Sequence, residues 1–116
     1  MPQRDAAHLD DILIASELIL SFLEGVDQDT FHRDLKTQSA VNVHFEIVGE
    51  ATKRFSPEFK TTHPGIPWRK MAGMRDILIH AYDTVDVDEI WFAASRDIPQ
   101  LIARLRQLPP LAHTTR

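Results

Sequence analysis

Apolar residues recur at intervals of three and four along most of the chain, which is the spacing of one face of an α-helix. This pattern predicts a first helix from Leu9 to Leu23 that ends at Gly25, because glycine is a common residue just past a helix end. Asp29 is the predicted cap of a short helical turn that holds Phe31 and Leu35.

A second long helix is predicted after Ser39. Its apolar residues, from Ala40 to Ala51, cover much of its circumference, so we expect it to be the central helix. Ser56 is the expected cap of a single turn with proline at its first position. The segment from Thr61 to Gly65 is typical of a loop, and Pro67 opens the next helix.

The last helix has the most regular pattern, with apolar residues on one face from Val87 to Leu108. Asp86 and Glu89 resemble a capping box at its start. Pro99 lacks a backbone donor and would crowd the carbonyl of Ser95, so a kink is predicted there.

No segment alternates with the two-residue period of a half-buried strand. The predicted fold is therefore all-α, a bundle of four to five helices. The 116 residues are too few to divide into two stable cores, so residues 1–108 are expected to form one domain. Residues 109–116, which begin with two prolines, are expected to be a flexible tail.

Composition narrows the classes of protein. Apolar residues are 43% of the chain and charged residues 26%, which is ordinary for a folded domain. The chain has no cysteine, so disulfides, thiolate metal sites and cysteine nucleophiles are excluded. No apolar run approaches the length needed to span a bilayer, and Asp5 stands where a signal peptide would be apolar. A cytoplasmic protein without membrane contact is expected.

The formal charge of −4 argues against RNA or DNA binding by a broad basic surface. The charge is unevenly distributed, because residues 1–34 hold eight acids against two arginines. Residues 67–82 instead hold Arg69, Lys70 and Arg75 against Asp76 alone. Any anion site is therefore expected near this second segment.

Four chemically active residues fall within eight positions: Arg75, Asp76, His80 and the single tyrosine, Tyr82. On a helix, Asp76 and His80 share a face, and so do Arg75 and Tyr82. Arg75 and His80 diverge by roughly 140°. They could meet if the helix ends near His80, if the arginine side chain wraps round, or if two subunits contribute; the last option predicts a dimer.

Histidine can exchange a proton near neutral pH, and arginine stays charged and suits a phosphate that gains charge. His80 and Arg75 together suffice for cleavage of RNA in which the ribose 2′-hydroxyl attacks its own phosphodiester. Asp76 could orient the ring of His80. No metal and no added cofactor are required.

Structural roles compete with this interpretation. A histidine near a helix end is more often a hydrogen-bonding residue than a catalyst, and Arg75 with Asp76 could be an ordinary surface pair. His44 and His63 have no partners at a metal-ligand spacing, and Trp68 and Trp91 are expected in the core or an interface.

Together the landmarks resemble the HEPN superfamily, in particular the HepT toxins of HepT/MntA toxin-antitoxin pairs. The signature RxxxxHxY is present as Arg75, His80 and Tyr82. The segments 66–68 and 72–74 are similar to that family's lead-in, and residues 47–51 are similar to its central-helix motif. The similarity extends from about Arg4 to Leu108.

This resemblance implies a homodimer whose active cleft, lined by Arg75 and His80 of both subunits, cuts RNA without metal and leaves a 2′,3′-cyclic phosphate. Asp76 would assist His80. The chain would be the toxin of a type VII system. Its partner would be an MntA-like nucleotidyltransferase antitoxin that transfers AMP to Tyr82, which adds bulk and negative charge beside Arg75.

Two other hypotheses stay open. The chain could be a non-catalytic helical module that docks a nucleotidyltransferase or a nucleotide, which predicts a stable complex and no effect on growth when it is expressed alone. It could also be a plain structural dimer, in which Arg75 and His80 are replaceable without consequence.

Overall fold

Four long helical segments and several short ones build the protein. A computed structural model describes residues 3–108, with side chains from Asp5 onward except that of Tyr82. Its helices are α1 (Gln3–Phe22), α2 (Gln28–Arg33), α3 (Leu35–Lys53), α4 (Pro57–Thr62), α5 (Trp68–His80), α6 (Val87–Phe92) and α7 (Ile98–Arg106). Within residues 3–108 there is no strand, so the predicted all-α class is confirmed. The predicted tail, residues 109–116, lies outside the described residues.

α3 is the central helix, as its apolar circumference predicts. It packs against α1 on one side and α5 on the other, while α7 lies against α1. Val41, Phe45 and Val48 of α3 are completely or almost completely buried in a core that all the long helices share. α3 nevertheless leaves Val43 and Ile47 exposed.

Several predicted helix boundaries were wrong because other aspartates are the caps. Asp27, and not Asp29, caps α2 by accepting a hydrogen bond from the amide of Thr30 at 2.8 Å. Asp34 caps α3 through the amide of Thr37, so this helix begins at Leu35, ahead of the start that was predicted after Ser39.

Two further helices are longer than predicted. α1 begins at Gln3 because Asp5 and Ala6 are already buried against the core. α4 continues to Thr62, which shortens the predicted loop. The end of α1 agrees with the prediction, since Gly25 has a φ of 72°, a conformation that glycine adopts readily.

The last helix is interrupted by a π-helical turn, Ala93–Asp97, between α6 and α7. The amide of Ile98 bonds to the carbonyl of Ala93, and Pro99 follows in the first turn of α7. The hydroxyl of Ser95 donates to the carbonyl of Trp91 at 2.7 Å. The wide turn lies where the proline was predicted to break regular hydrogen bonding. At the start of α6, Asp86 caps the amide of Asp88.

A buried carboxylate near the start of α1 is hydrogen-bonded to the residue that caps α4. Asp5 is fully buried, and its oxygens accept hydrogen bonds from the amide and the hydroxyl of Ser56 at 3.0 and 2.8 Å. The same hydroxyl accepts from the amide of Phe59 and so caps α4. Asp5 therefore fixes the position where the chain turns from α3 into α4.

We expect Asp5→Ala to lower the free energy of unfolding by about 1–3 kcal/mol, because it leaves buried donors of Ser56 without a partner. Urea denaturation measures this loss. Asp11→Ala, an exposed position on the same helix, is the control and should change stability by less than about 0.5 kcal/mol. Equal midpoints for the two variants would contradict the role of Asp5.

Candidate active site

Arg75 lies at a close contact between α3 and α5. A Cβ atom placed on Gly49 of α3 would lie 2.1 Å from Cβ of Arg75 and 2.9 Å from the carbonyl oxygen of Met71. Only a glycine therefore fits at this crossing without displacing α5. Because Gly49 has no side chain, Cβ of Arg75 can lie against the backbone of the central helix.

A network of charged side chains surrounds Arg75. Its Nη2 lies 3.1 Å from Oε1 of Glu50, and its Nη1 donates to Oδ1 of Asp76 at 3.2 Å. Glu50 also accepts from Nε and Nη2 of Arg54 at 3.2 and 3.0 Å, and Lys53 donates to Asp76 at 2.5 Å. Two carboxylates thus hold three cations in this network.

Asp76 is held in its ionised form. The hydrogen bond from Lys53 lowers the pKa of Asp76 the most, partial burial opposes this effect, and the hydrogen bond from Arg75 lowers the pKa further. An ionised carboxylate can only accept hydrogen bonds. Asp76 therefore restrains the guanidinium of Arg75. Among the described contacts, none joins Asp76 to His80, the partner that the sequence suggested.

Arg75 opens onto a cavity of about 450 Å³ between α1, α3 and α5. Arg75, Arg54 and Glu50 form its charged end, and the carboxylates of Glu46 and Asp11 also line it. Its apolar wall continues over the surface of α1 as a set of exposed residues, which we call the apolar face: Ile14, Leu18, Val43, Ile47 and Ile79. Contiguous exposed apolar residues of this kind are typical of an interaction surface.

His80 is the last residue of α5. The amide of Ala81 still bonds to the carbonyl of Ile77, but Ala81 itself leaves the helical conformation. The side chain of His80 is exposed, and none of the side chains that the structure describes hydrogen-bonds or pairs with it. It is also not among the residues that line the cavity beside Arg75. Arg75 and His80 are therefore not brought together within one described chain, although the helix ends where the sequence suggested.

Tyr82 begins a 3-10 turn, Tyr82–Thr84, after the end of α5. α5 ends at His80, so Tyr82 is not part of the helix. The prediction that Tyr82 and Arg75 share a helix face is therefore wrong. The side chain of Tyr82 lies outside the described part of the structure. What remains is its position in the chain, two residues after His80.

The aromatic and histidine residues outside the segment have structural contacts. Trp68 donates from its indole nitrogen to the carbonyl of His63 at 2.9 Å, and His63 packs against Phe59. Trp91 packs on the buried ring of Phe31. His44 bonds to the carbonyl of Ala40 within its own helix. These contacts agree with the structural interpretation of all four residues.

Sequence reasoning missed three residues of the network, two in α3 and one directly after it. Glu50 was noted only as part of a motif, and Lys53 and Arg54 were not singled out. Two signals were present: Glu50 and Arg54 are four apart, which favours an ion pair on a helix, and Gly49 is costly in a helix interior unless close packing requires it.

Comparisons with known proteins agree with one another. A family model described as Ribonuclease HepT-like matches residues 12–108. A protein of Thermococcus cleftensis named "Probable ribonuclease HepT" is 48% identical over 101 residues, which are 87% of this chain and 92% of that protein. A protein of Methanocaldococcus jannaschii, named as a candidate RNase, is 36% identical over 109 residues, or 93% of this chain and 90% of that protein. No solved structure matches the chain. No helix within residues 3–108 is long and apolar enough to cross a membrane.

Proposed function

Because the chain belongs to the ribonuclease HepT-like family, we propose that Arg75 and His80 carry out the metal-independent cleavage of RNA. The family match confirms the resemblance seen in the motif around these two residues and supports the predicted class of enzyme, an endoribonuclease. The observation that carries the residue assignment is the placement of Arg75. Its guanidinium is restrained by Glu50 and Asp76 at the edge of an open cavity, and an exposed histidine ends the same helix.

In the proposed reaction, His80 takes the proton of the ribose 2′-hydroxyl while that oxygen attacks the neighbouring phosphorus. The bond from phosphorus to the 5′-oxygen of the next nucleotide breaks, and a histidinium returns a proton to that leaving oxygen. The products are a 2′,3′-cyclic phosphate and a 5′-hydroxyl. Arg75 stabilises the charge that develops on the phosphate oxygens, using donors that Glu50 and Asp76 leave free.

The active cleft is proposed to lie between two copies of the chain. Within one chain Arg75 faces the cavity and His80 lies outside it, so a second subunit can supply the missing partner. The apolar face borders the same cavity and would be buried by such a contact. Burial of this face would therefore bring the arginines of both cavities together despite the protein's net charge of −4.

Mixing two inactive variants tests this arrangement. If Arg75 of one subunit acts with His80 of the other, an Arg75→Ala protein unfolded and refolded together with a His80→Ala protein should recover part of the wild-type rate. Each mixed dimer then contains one intact pair. The separate variants treated in the same way are the controls. A mixture as inactive as its components would contradict a shared site.

Regulation is proposed to act through Tyr82. As the toxin of a type VII toxin-antitoxin pair, the cytoplasmic protein would be inactivated when a cognate nucleotidyltransferase transfers AMP to the phenolic oxygen of Tyr82. The added phosphate would lie close in the chain to Arg75 and His80 and would repel the RNA phosphate. Mass spectrometry of the protein co-expressed with an MntA-like nucleotidyltransferase checks for AMP on Tyr82.

The function is tested with the purified, unmodified protein and RNA in the presence of EDTA. We expect cleavage with cyclic phosphate ends. Folded, unmodified protein that leaves RNA intact would refute the proposal. A stable complex with a nucleotidyltransferase but no RNA cleavage would instead support the binding module.

A further inference from the structure

Arg54 is a second arginine at the charged end of the cavity, and the proposed reaction does not use it. It follows the last residue of α3 and lines the cavity together with Arg75. Both guanidinium groups pair with the same carboxylate, because Oε1 of Glu50 lies 3.1 Å from Nη2 of Arg75 and Oε2 accepts hydrogen bonds from Arg54. Glu50 therefore holds two guanidinium groups side by side at one opening.

The donors of Arg54 are only partly used. A guanidinium has five N–H donors, and Glu50 engages Nε and Nη2 on one edge of the group. Within the described residues nothing bonds to its Nη1, and the side chain is 62% exposed. An exposed ion pair between residues four apart contributes only about 0.3–0.5 kcal/mol, so stability alone is a weak reason for this arrangement.

Lys53 is the other cation nearby, but its position differs. It is paired with Asp76 at 2.5 Å and is not among the residues that line the cavity. Of the cations in the network, Arg54 and Arg75 therefore open into the space that a substrate would enter. The planar fork of arginine suits a phosphate oxygen better than the point charge of lysine does.

We infer that Arg54 binds a phosphate of the RNA strand next to the phosphate that is cleaved, with Glu50 holding Arg54 beside Arg75. This inference rests on the proposed function for the identity of the cleaved phosphate. In a chain with net negative charge, such a contact would fix the position of the strand at the opening of the cavity. Arg54 is thus a substrate-binding residue, whereas Arg75 acts on the reacting phosphate.

Binding of a labelled single-stranded oligoribonucleotide tests the inference. All proteins carry His80→Ala, so that the RNA stays intact. We expect Arg54→Gln to weaken binding about tenfold, as the loss of one charged hydrogen bond predicts. The slope of log affinity against log salt concentration should become less steep by about 0.7, the value for one phosphate contact. Arg54→Lys should keep the slope and restore part of the affinity.

Matched controls are found near the other end of α3, at Arg33, the last residue of α2, and at Lys36 in the first turn of α3. Lys36→Gln and Arg33→Gln remove the same charge at exposed positions, and Lys36 is roughly 27 Å from Arg54 along the helix axis. These variants should bind RNA as the parent does. If Arg54→Gln has no larger effect than these controls, the inference is overturned.

A double variant separates direct binding from an effect through Glu50. In a Glu50→Gln background, Arg54→Gln should still weaken RNA binding if the guanidinium contacts the phosphate itself. If the effect of Arg54→Gln vanishes there, Arg54 acts only by occupying Glu50, and the inference fails. Wild-type protein that binds the oligonucleotide through Arg54 but does not cut RNA would refute the proposed function and leave this binding site standing.

Discussion

Replacing His80 with alanine should lower the rate of RNA cleavage by about 10²–10⁴-fold, the usual contribution of a general acid or base. Arg75→Ala should lower the rate by about 10²–10³-fold, the typical effect of removing one group that stabilises charge in the transition state. The measurement is the single-turnover rate on a defined RNA in EDTA. Both effects should be confined to catalysis, with the proteins folded normally.

Folding is expected to persist because neither variant leaves a buried charge. Without Arg75, Glu50 keeps its contacts with Arg54 and Asp76 keeps Lys53. His80 is exposed and ends its helix. Circular dichroism spectra that match the wild type check this point. A large loss of helix would mean that the rates report unfolding and not chemistry.

His32→Ala is the matched control for the histidine. Its ring bonds to Asp88 at 3.0 Å on an exposed surface between α2 and α6. We expect this variant to cut RNA at the wild-type rate. Arg75→Lys is the matched control for the arginine, because it keeps the charge but loses the planar fork. An intermediate rate of RNA cleavage is expected. Full activity in His80→Ala or Arg75→Ala would remove these residues from the mechanism.

Gly49→Ala should have the largest effect on stability. The new methyl group would lie 2.1 Å from Cβ of Arg75 and 2.9 Å from the carbonyl of Met71, so α3 and α5 must move apart. Overpacking of this kind costs about 1–3 kcal/mol and occasionally more, against a gain of about 1 kcal/mol in helix propensity. A fall in melting temperature on the order of 10 °C corresponds to the upper part of this range.

The same substitution should also lower RNA cleavage, because Arg75 would be displaced from Glu50 on the opposite helix. Gly73→Ala is the control within α5, since a Cβ there meets no atom within 4 Å. It should leave stability unchanged or raise it through helix propensity. If Gly49→Ala and Gly73→Ala melt at the same temperature, the close approach at Gly49 does not constrain the fold.

The predicted helices and their observed bounds show how much of the fold the local sequence pattern predicts. The apolar period predicted α1 and α3 and identified α3 as central, because burial of one helix face determines the spacing of apolar residues. Caps were less certain, since Asp27, Asp29, Asp34 and Ser39 are all good cap residues. The choice among them depends on where the core begins, which the local pattern does not contain.

The sequence by itself identified the segment from Arg75 to Tyr82 as a candidate site, because it is a cluster of residue types suited to phosphate chemistry. Its surroundings were decided by the tertiary structure. Only the crossing of α3 and α5 brings Glu50 and Lys53 to Arg75 and Asp76, so that Lys53 is a partner of Asp76. The physical reason is that an ion pair between helices depends on their distance and angle, set here by a glycine at position 49.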